Sequence, residues 1–181
     1  MRSRFLPVLF LVSLLGCSKS DSNPIMDFGP GEGITYRTIN NMPYGPQDPT
    51  DWTSDGEWNK QERALFADLG LDLNAAQQPA APIYTAVYPN PAMGGSANLT
   101  VQTQRLSSGP VNYTFSAVLV DRNYRVLQRL SPNSISTGFA YAIDYARAGL
   151  GANELYRIYY VVHNASGLVY KGHGDVRYSP R

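Results

Sequence analysis

Two hydrophobic rhythms divide the chain. From Ile83 onward, apolar side chains recur at every second position. Val111, Tyr113, Phe115, Ala117 and Leu119 alternate with Asn112, Thr114, Ser116 and Val118, and the pattern returns in Phe139, Tyr141, Ile143 and Tyr145 and in Tyr156, Ile158, Tyr160 and Val162. A period of two sends successive side chains to opposite faces of an extended strand. The pattern predicts seven strands, near 83–88, 97–103, 111–120, 124–130, 138–145, 155–163 and 168–178. Asp121-Arg122-Asn123 and Asn164-Ala165-Ser166-Gly167 read as hairpin turns, Gly167 being free to take positive φ. Seven short strands in about 100 residues predict a mainly β protein built as a β-sandwich.

The first half follows other rules. Ser54-x-x-Glu57 reads as a capping box opening a helix from about Asp55 to Leu69. Trp58, Leu65, Phe66 and Leu69 fall on its apolar face, and Gly70 suits its C-terminal cap. Asn74 to Pro82 is then a linker rich in Ala, Gln and Pro. Residues 18–57 are studded with proline and glycine, which forbids a long helix or a central strand. Phe28, Ile34, Tyr36 and Trp52 are large apolar groups within it, so a partly ordered segment laid along the domain is expected. At the start, Arg2 and Arg4 precede an apolar run from Phe5 to Leu15, well short of the roughly 20 residues that cross a bilayer. That pattern is an export signal. The division expected is a signal at 1–16, a tether at 17–53, helix and linker at 54–82, and a sandwich at 83–181.

Leu14-Leu15-Gly16-Cys17 resembles the bacterial lipobox, in which a signal peptidase cuts between Gly16 and Cys17 and Cys17 carries the lipid. The lone cysteine of the chain falls at that position, which also excludes an internal disulfide. The resemblance implies a lipid-anchored protein of the bacterial envelope. Ser18 after the cysteine, where an aspartate would retain it at the inner membrane, implies the outer membrane, with the periplasmic or surface face left open.

The strand-bearing half resembles the fibronectin type III and immunoglobulin-like families. Leu150 lies six positions before Tyr156, which opens a strand, as in the tyrosine corner of those folds. The resemblance implies a hydroxyl bond from Tyr156 to backbone near the preceding turn. Both tryptophans, Trp52 and Trp58, precede the predicted sandwich. Val87-Tyr88-Pro89-Asn90-Pro91 resembles the Tyr-Pro-Asn-Pro opening of type IX secretion sorting domains, although the closing Val176-Arg177-Tyr178-Ser179-Pro180-Arg181 lacks their lysine. The same residues also suit a rigid turn after the first strand.

Charge removes one class of function. With 15 Lys+Arg against 14 Asp+Glu, the chain has no basic footprint for nucleic acid. Asp51-x-Thr53-x-Asp55-Gly56 followed by Glu62 has the spacing of a calcium-binding EF-hand loop, with Glu57 beside it and Asn59 at the ninth position. The same acids also suit a helix N-terminus. His163 and His173, with Asp175, are the only imidazole-bearing set. Gly-x-Ser-x-Gly and phosphate-loop patterns are absent. Thirteen tyrosines remain, and strand alternation turns Arg157, Tyr159 and Val161 away from the core. That stripe would stack on a sugar ring, dock a partner, or lie under the N-terminal segment and helix. The expected function is non-enzymatic: a module binding or supporting another envelope protein or glycan, with calcium the one cofactor worth testing. A surface glycan-recognition or adhesion module is the alternative, and an enzyme or inhibitor with an unrecognised site is a further one.

Overall fold

The computed structural model of the chain describes residues 25–29, 31–78, 83–103, 112–135 and 138–180. The expected signal and the expected lipidation residues Gly16 and Cys17 lie outside them. Among the described residues no helix is long and apolar enough to cross a membrane.

The strands are β1 (Thr53–Ser54), β2 (Ile83–Tyr88), β3 (Ser96–Thr103), β4 (Tyr113–Val120), β5 (Val126–Ile135), β6 (Gly138–Asp144), β7 (Leu155–Asn164) and β8 (Gly167–Arg177). The last seven match the expected seven to within a few residues. They form two antiparallel sheets, β2-β3-β6 and β1-β8-β7-β4-β5. The seven long strands have the fibronectin type III/immunoglobulin-like sandwich order, with β1 added as an eighth along the outer edge of β8. Connections 89–95, 121–125 and 145–154 lie at one end of the sandwich. There Tyr145 donates its amide to Gly95, and Ala92 pairs with Tyr178.

Two cores lie on opposite faces of the larger sheet. Between the sheets pack Val87, Leu99, Val101, Phe115, Leu119, Ile143, Tyr145, Ile158, Tyr160 and Val176. On the outer face, Val118, Val120, Tyr159, Val161 and Leu168 pack against Met26, Phe28, Trp58, Leu65, Phe66 and Leu73. A central strand covered on both faces loses its alternation of exposure, and β4 is buried along nearly its whole length.

The N-terminal half is therefore a third layer. Within the segment expected as a tether at 17–53, Met26, Phe28 and Ile34 are buried in the body, and Thr53 pairs with His173. The expected helix is corrected. Only Lys60–Ala64 is α-helical (α1), followed by a 3₁₀ turn over Ala67–Leu69 that Gly70 closes at φ 65°. Ser54 is held instead in β1, where its hydroxyl bonds Gln77, so the capping box forms five residues later. The Asn59 side chain accepts from Glu62 N at 3.0 Å, and Glu62 accepts from Asn59 N at 2.7 Å. The apolar face foreseen for the helix survives: Trp58, Leu65 and Phe66 are all buried.

Trp52 enters the other core from outside the seven strands. Gly174 on β8 leaves the space, and the indole lies flat on it, parallel to Tyr160 at 6.3 Å between ring centres; Gly172 makes room for Thr53 O and the Tyr160 hydroxyl. Trp52 sits at φ 59°, where a bulky residue is strained and must be held by its surroundings. Its amide donates to His173 O at 2.7 Å.

Gly174→Ala places a methyl group against the Trp52 ring and costs about 1–3 kcal/mol by overpacking. Gly56→Ala, where a methyl meets only open space, leaves the urea midpoint nearly unchanged. The difference between the two midpoints is the measurement.

Candidate functional site

The largest concentration of buried polar chemistry lies between β7–β8 and the N-terminal layer. Arg157 on β7 and Asp175 on β8 are register partners. The guanidinium grips the carboxylate through Nε and Nη2, both at 2.7 Å, and Asp175 is fully buried. A second bond from Nη2 goes to Asp27 O at 2.7 Å, and the Phe28 ring lies 5.3 Å from the guanidinium carbon. One side chain thus closes a buried ion pair and holds the first residues of the covering layer.

Asp51 reaches the same region from the other side. Its Oδ1 accepts from Asp175 N and its Oδ2 from Thr35 N, both at 2.7 Å. Burial, then the nearby Asp175 charge, push the Asp51 carboxyl up to about 7. Burial also raises Asp175 to about 6, against the opposing pull of Arg157. Asp48 binds Thr50 through Oδ1, while Oδ2 is buried without a partner beneath Gly29. Asn90 completes the cluster. Fully buried, it donates to Thr35 O and Asp175 O and accepts from Arg177 N.

Further along β8, His173 Nδ1 meets Asp55 Oδ1 at 2.7 Å, and Asp55 Oδ2 accepts from Trp58 Nε1 at 2.7 Å. Lys171, 1% exposed, donates Nζ to Leu73 O and Asn74 Oδ1 beside the Trp58 ring. A shallow depression of about 460 Å³ borders Glu57, Asn74, Gln77 and Lys171.

Of the readings open to the stripe Arg157, Tyr159 and Val161, the structure has it lying under the N-terminal segment and α1. All three turn away from the inter-sheet core, and all three are buried. Tyr159 lies between Trp58 and Tyr124, with its hydroxyl on Glu62 Oε1 at 2.9 Å. The Tyr159 ring is therefore covered and is not presented for stacking on a sugar.

Most side chains at the calcium spacing have partners within the fold. Asp51 serves Thr35 and Asp175, Asp55 serves His173 and Trp58, and Glu62 serves Asn59 and Tyr159. Thr53 Oγ1 donates to Thr50 O, Asn59 caps α1, and Glu57 is exposed. Among the described residues no group of three or more His, Cys, Asp or Glu side chains is placed to hold a metal ion. The two histidines stay apart too. His163 pairs with Leu168 and His173 with Tyr159, four residues away along β7, or about 13 Å. Burial lowers the His163 pKa, and its Nε2 is buried without a partner.

At the corner before β7, the Tyr156 hydroxyl accepts from Gly151 N at 2.6 Å, and Leu150 is buried beside it. Asn90 and Lys171 were not foreseen as buried hubs. The only sequence signal for Asn90 is its place between Pro89 and Pro91, and Lys171 occupies an outward strand position that reads as solvent-facing.

No protein-family model matches the chain, and no curated protein sequence matches it. Among solved structures the chain is similar to a beta-glucuronidase from glycoside hydrolase family 2, with 13% identity and a TM-score of 0.33. The match covers 59% of this chain and 12% of that one, so the chain spans about an eighth of that protein's length.

Arg157→Leu strands the Asp175 charge in the interior and costs about 3–5 kcal/mol, read from chemical denaturation at neutral pH. Asp51 has the opposite kind of pH dependence from an ion-paired acid. Folded, it holds its proton up to about pH 7, whereas the unfolded carboxyl releases it near 3.8. Its contribution therefore favours folding in acid and is lost as pH rises through that window. Asp51→Asn has no such proton to release. The stability difference, wild type minus variant, falls between pH 4 and 8.

Proposed function

We propose that the chain is a non-enzymatic lipoprotein of the bacterial outer membrane, anchored through Cys17, whose sandwich binds or supports another envelope component. The observation that carries this reading is the only cysteine of the chain standing at the end of Leu14-Leu15-Gly16-Cys17, behind a basic and then apolar leader. Two lipid chains hold a protein on a bilayer where one does not, so the body needs no charge of its own for anchoring. The folded body supports the binding or structural half of the proposal. Its buried acids, its lysine and its Arg157 are bonded to backbone or to one another, and none of the groups described converges on an open cleft as reacting groups would.

Metabolic labelling with an alkyne-bearing palmitate tests the anchor. Wild type takes up the label and sediments with membranes. Cys17→Ala loses the label and leaves the outer-membrane fraction, and retention of both would overturn the proposal. Protease shaving of intact cells, with an epitope after Arg181, then assigns the face. Loss of the epitope directs the search for partners to glycans and external surfaces, and protection directs it to periplasmic proteins.

A further inference from the structure

We propose that the end of the sandwich bearing the 89–95 and 121–125 connections rests in the headgroup layer of the membrane to which Cys17 is anchored. This inference rests on the lipidation reading above. The described chain begins at Ile25, and Met26 N is bonded to Arg122 O in the β4–β5 connection. Ile25 therefore lies at that end. Eight residue steps separate Cys17 from Ile25, and fully extended they reach at most about 28 Å. β8 has 11 residues and is about 36 Å long. Turning the far end onto the bilayer would lift Ile25 beyond the reach of its leash. End-on with Ile25 down, or lying on one side, are the arrangements left.

The exposed apolar residues choose between these. Ile25 and Met93 are 75% and 50% exposed, and both belong to the leashed end. Ile39 and Met42, 71% and 63% exposed, crown a hairpin closed by Arg37 and Pro43. The base of that hairpin is fixed to the same end, because Arg37 N donates to Asn90 O at 2.8 Å and Asn90 N returns a bond to Arg37 O at 2.9 Å. Arg122 and Arg147 stand exposed in the neighbouring connections, where they can meet lipid phosphates. At the opposite end, the described turn Ala165–Ser166 is small and polar. A lipid anchor holds the bilayer at high effective concentration beside these side chains, so contacts too weak to bind a free protein suffice once it is tethered. Apolar tips with Arg122 and Arg147 in the neighbouring connections suit the acyl–headgroup boundary.

Once Cys17 carries lipid on its sulfur, an introduced cysteine is the only free thiol of the mature protein. Met42→Cys, Met93→Cys and, at the far end, Ser166→Cys are each labelled with the fluorophore NBD. The lipidated proteins are reconstituted in phosphatidylethanolamine–phosphatidylglycerol vesicles with and without a doxyl-lipid quencher, and mass spectrometry checks the lipid on Cys17. Emission from positions 42 and 93 is expected to be blue-shifted and quenched at least twofold, with position 166 unaffected. A lipidated protein in which 42 and 93 behave as 166 does overturns this inference and leaves the anchor intact. A Cys17 without lipid overturns both. Circular dichroism of each labelled variant shows that the fold is retained.

Discussion

The structure depends on covering the outer face of its larger sheet with chain that has almost no regular secondary structure. A sheet face can be buried cheaply by a helix, because a helix satisfies its own amides and carbonyls. Here the cover over residues 26–77 contains one five-residue helix and one 3₁₀ turn. Its remaining backbone groups must find partners elsewhere, since a buried amide or carbonyl left unpaired costs as much as a lost hydrogen bond. Polar side chains fill that role. Asp51 accepts amides from Thr35 and Asp175, Asn74 exchanges two bonds with the Trp58 backbone, and Gln77 bonds Asp55 O and Lys171 N. Lys171 in turn caps Leu73 O.

This explains why charged residues occupy outward positions on β7 and β8 and yet see little water. Arg157, Lys171 and Asp175 would be ordinary surface residues on a bare sandwich. Under the cover they are its fasteners, and the aromatic rings beside them give the cationic groups favourable faces. The layer and the sheet are consequently interdependent: the layer needs those side chains for its backbone, and the charges need the layer's carbonyls once desolvated.

The seven strands were legible because alternation is local: each strand announces its own faces, and a two-layer order follows from their number and spacing. The cover was not, because its signals compete. Ser54 and Glu57 make a plausible cap in isolation, but Ser54 pairs with Gly172 in the sheet edge, a contact between residues more than 100 positions apart. Asp51, Asp55 and Glu62 keep the spacing of a cation loop, yet each carboxylate is claimed by a different distant partner. Proline and glycine in 18–57 correctly excluded helix and central strand. They did not exclude packing, and Phe28, Ile34 and Trp52 were the residues that foretold it. At Arg157, Tyr159 and Val161 period two distinguished the face, and the large apolar groups of the N-terminal segment were the signal for its cover.

Where polar residues are spent bears on where function can reside. A catalytic centre needs titratable groups with unsatisfied bonding capacity facing a cleft. In this chain Asp51 accepts two backbone amides, Asp175 accepts from Arg157, Lys171 donates to a carbonyl and to Asn74, and Arg157 donates to an acid and a carbonyl. Withdrawing any of them for chemistry would loosen the cover that holds them. The groups left free to vary without that penalty are at the surface: the connections at the two ends, the hairpin over residues 36–44, and the exposed side of the covering layer.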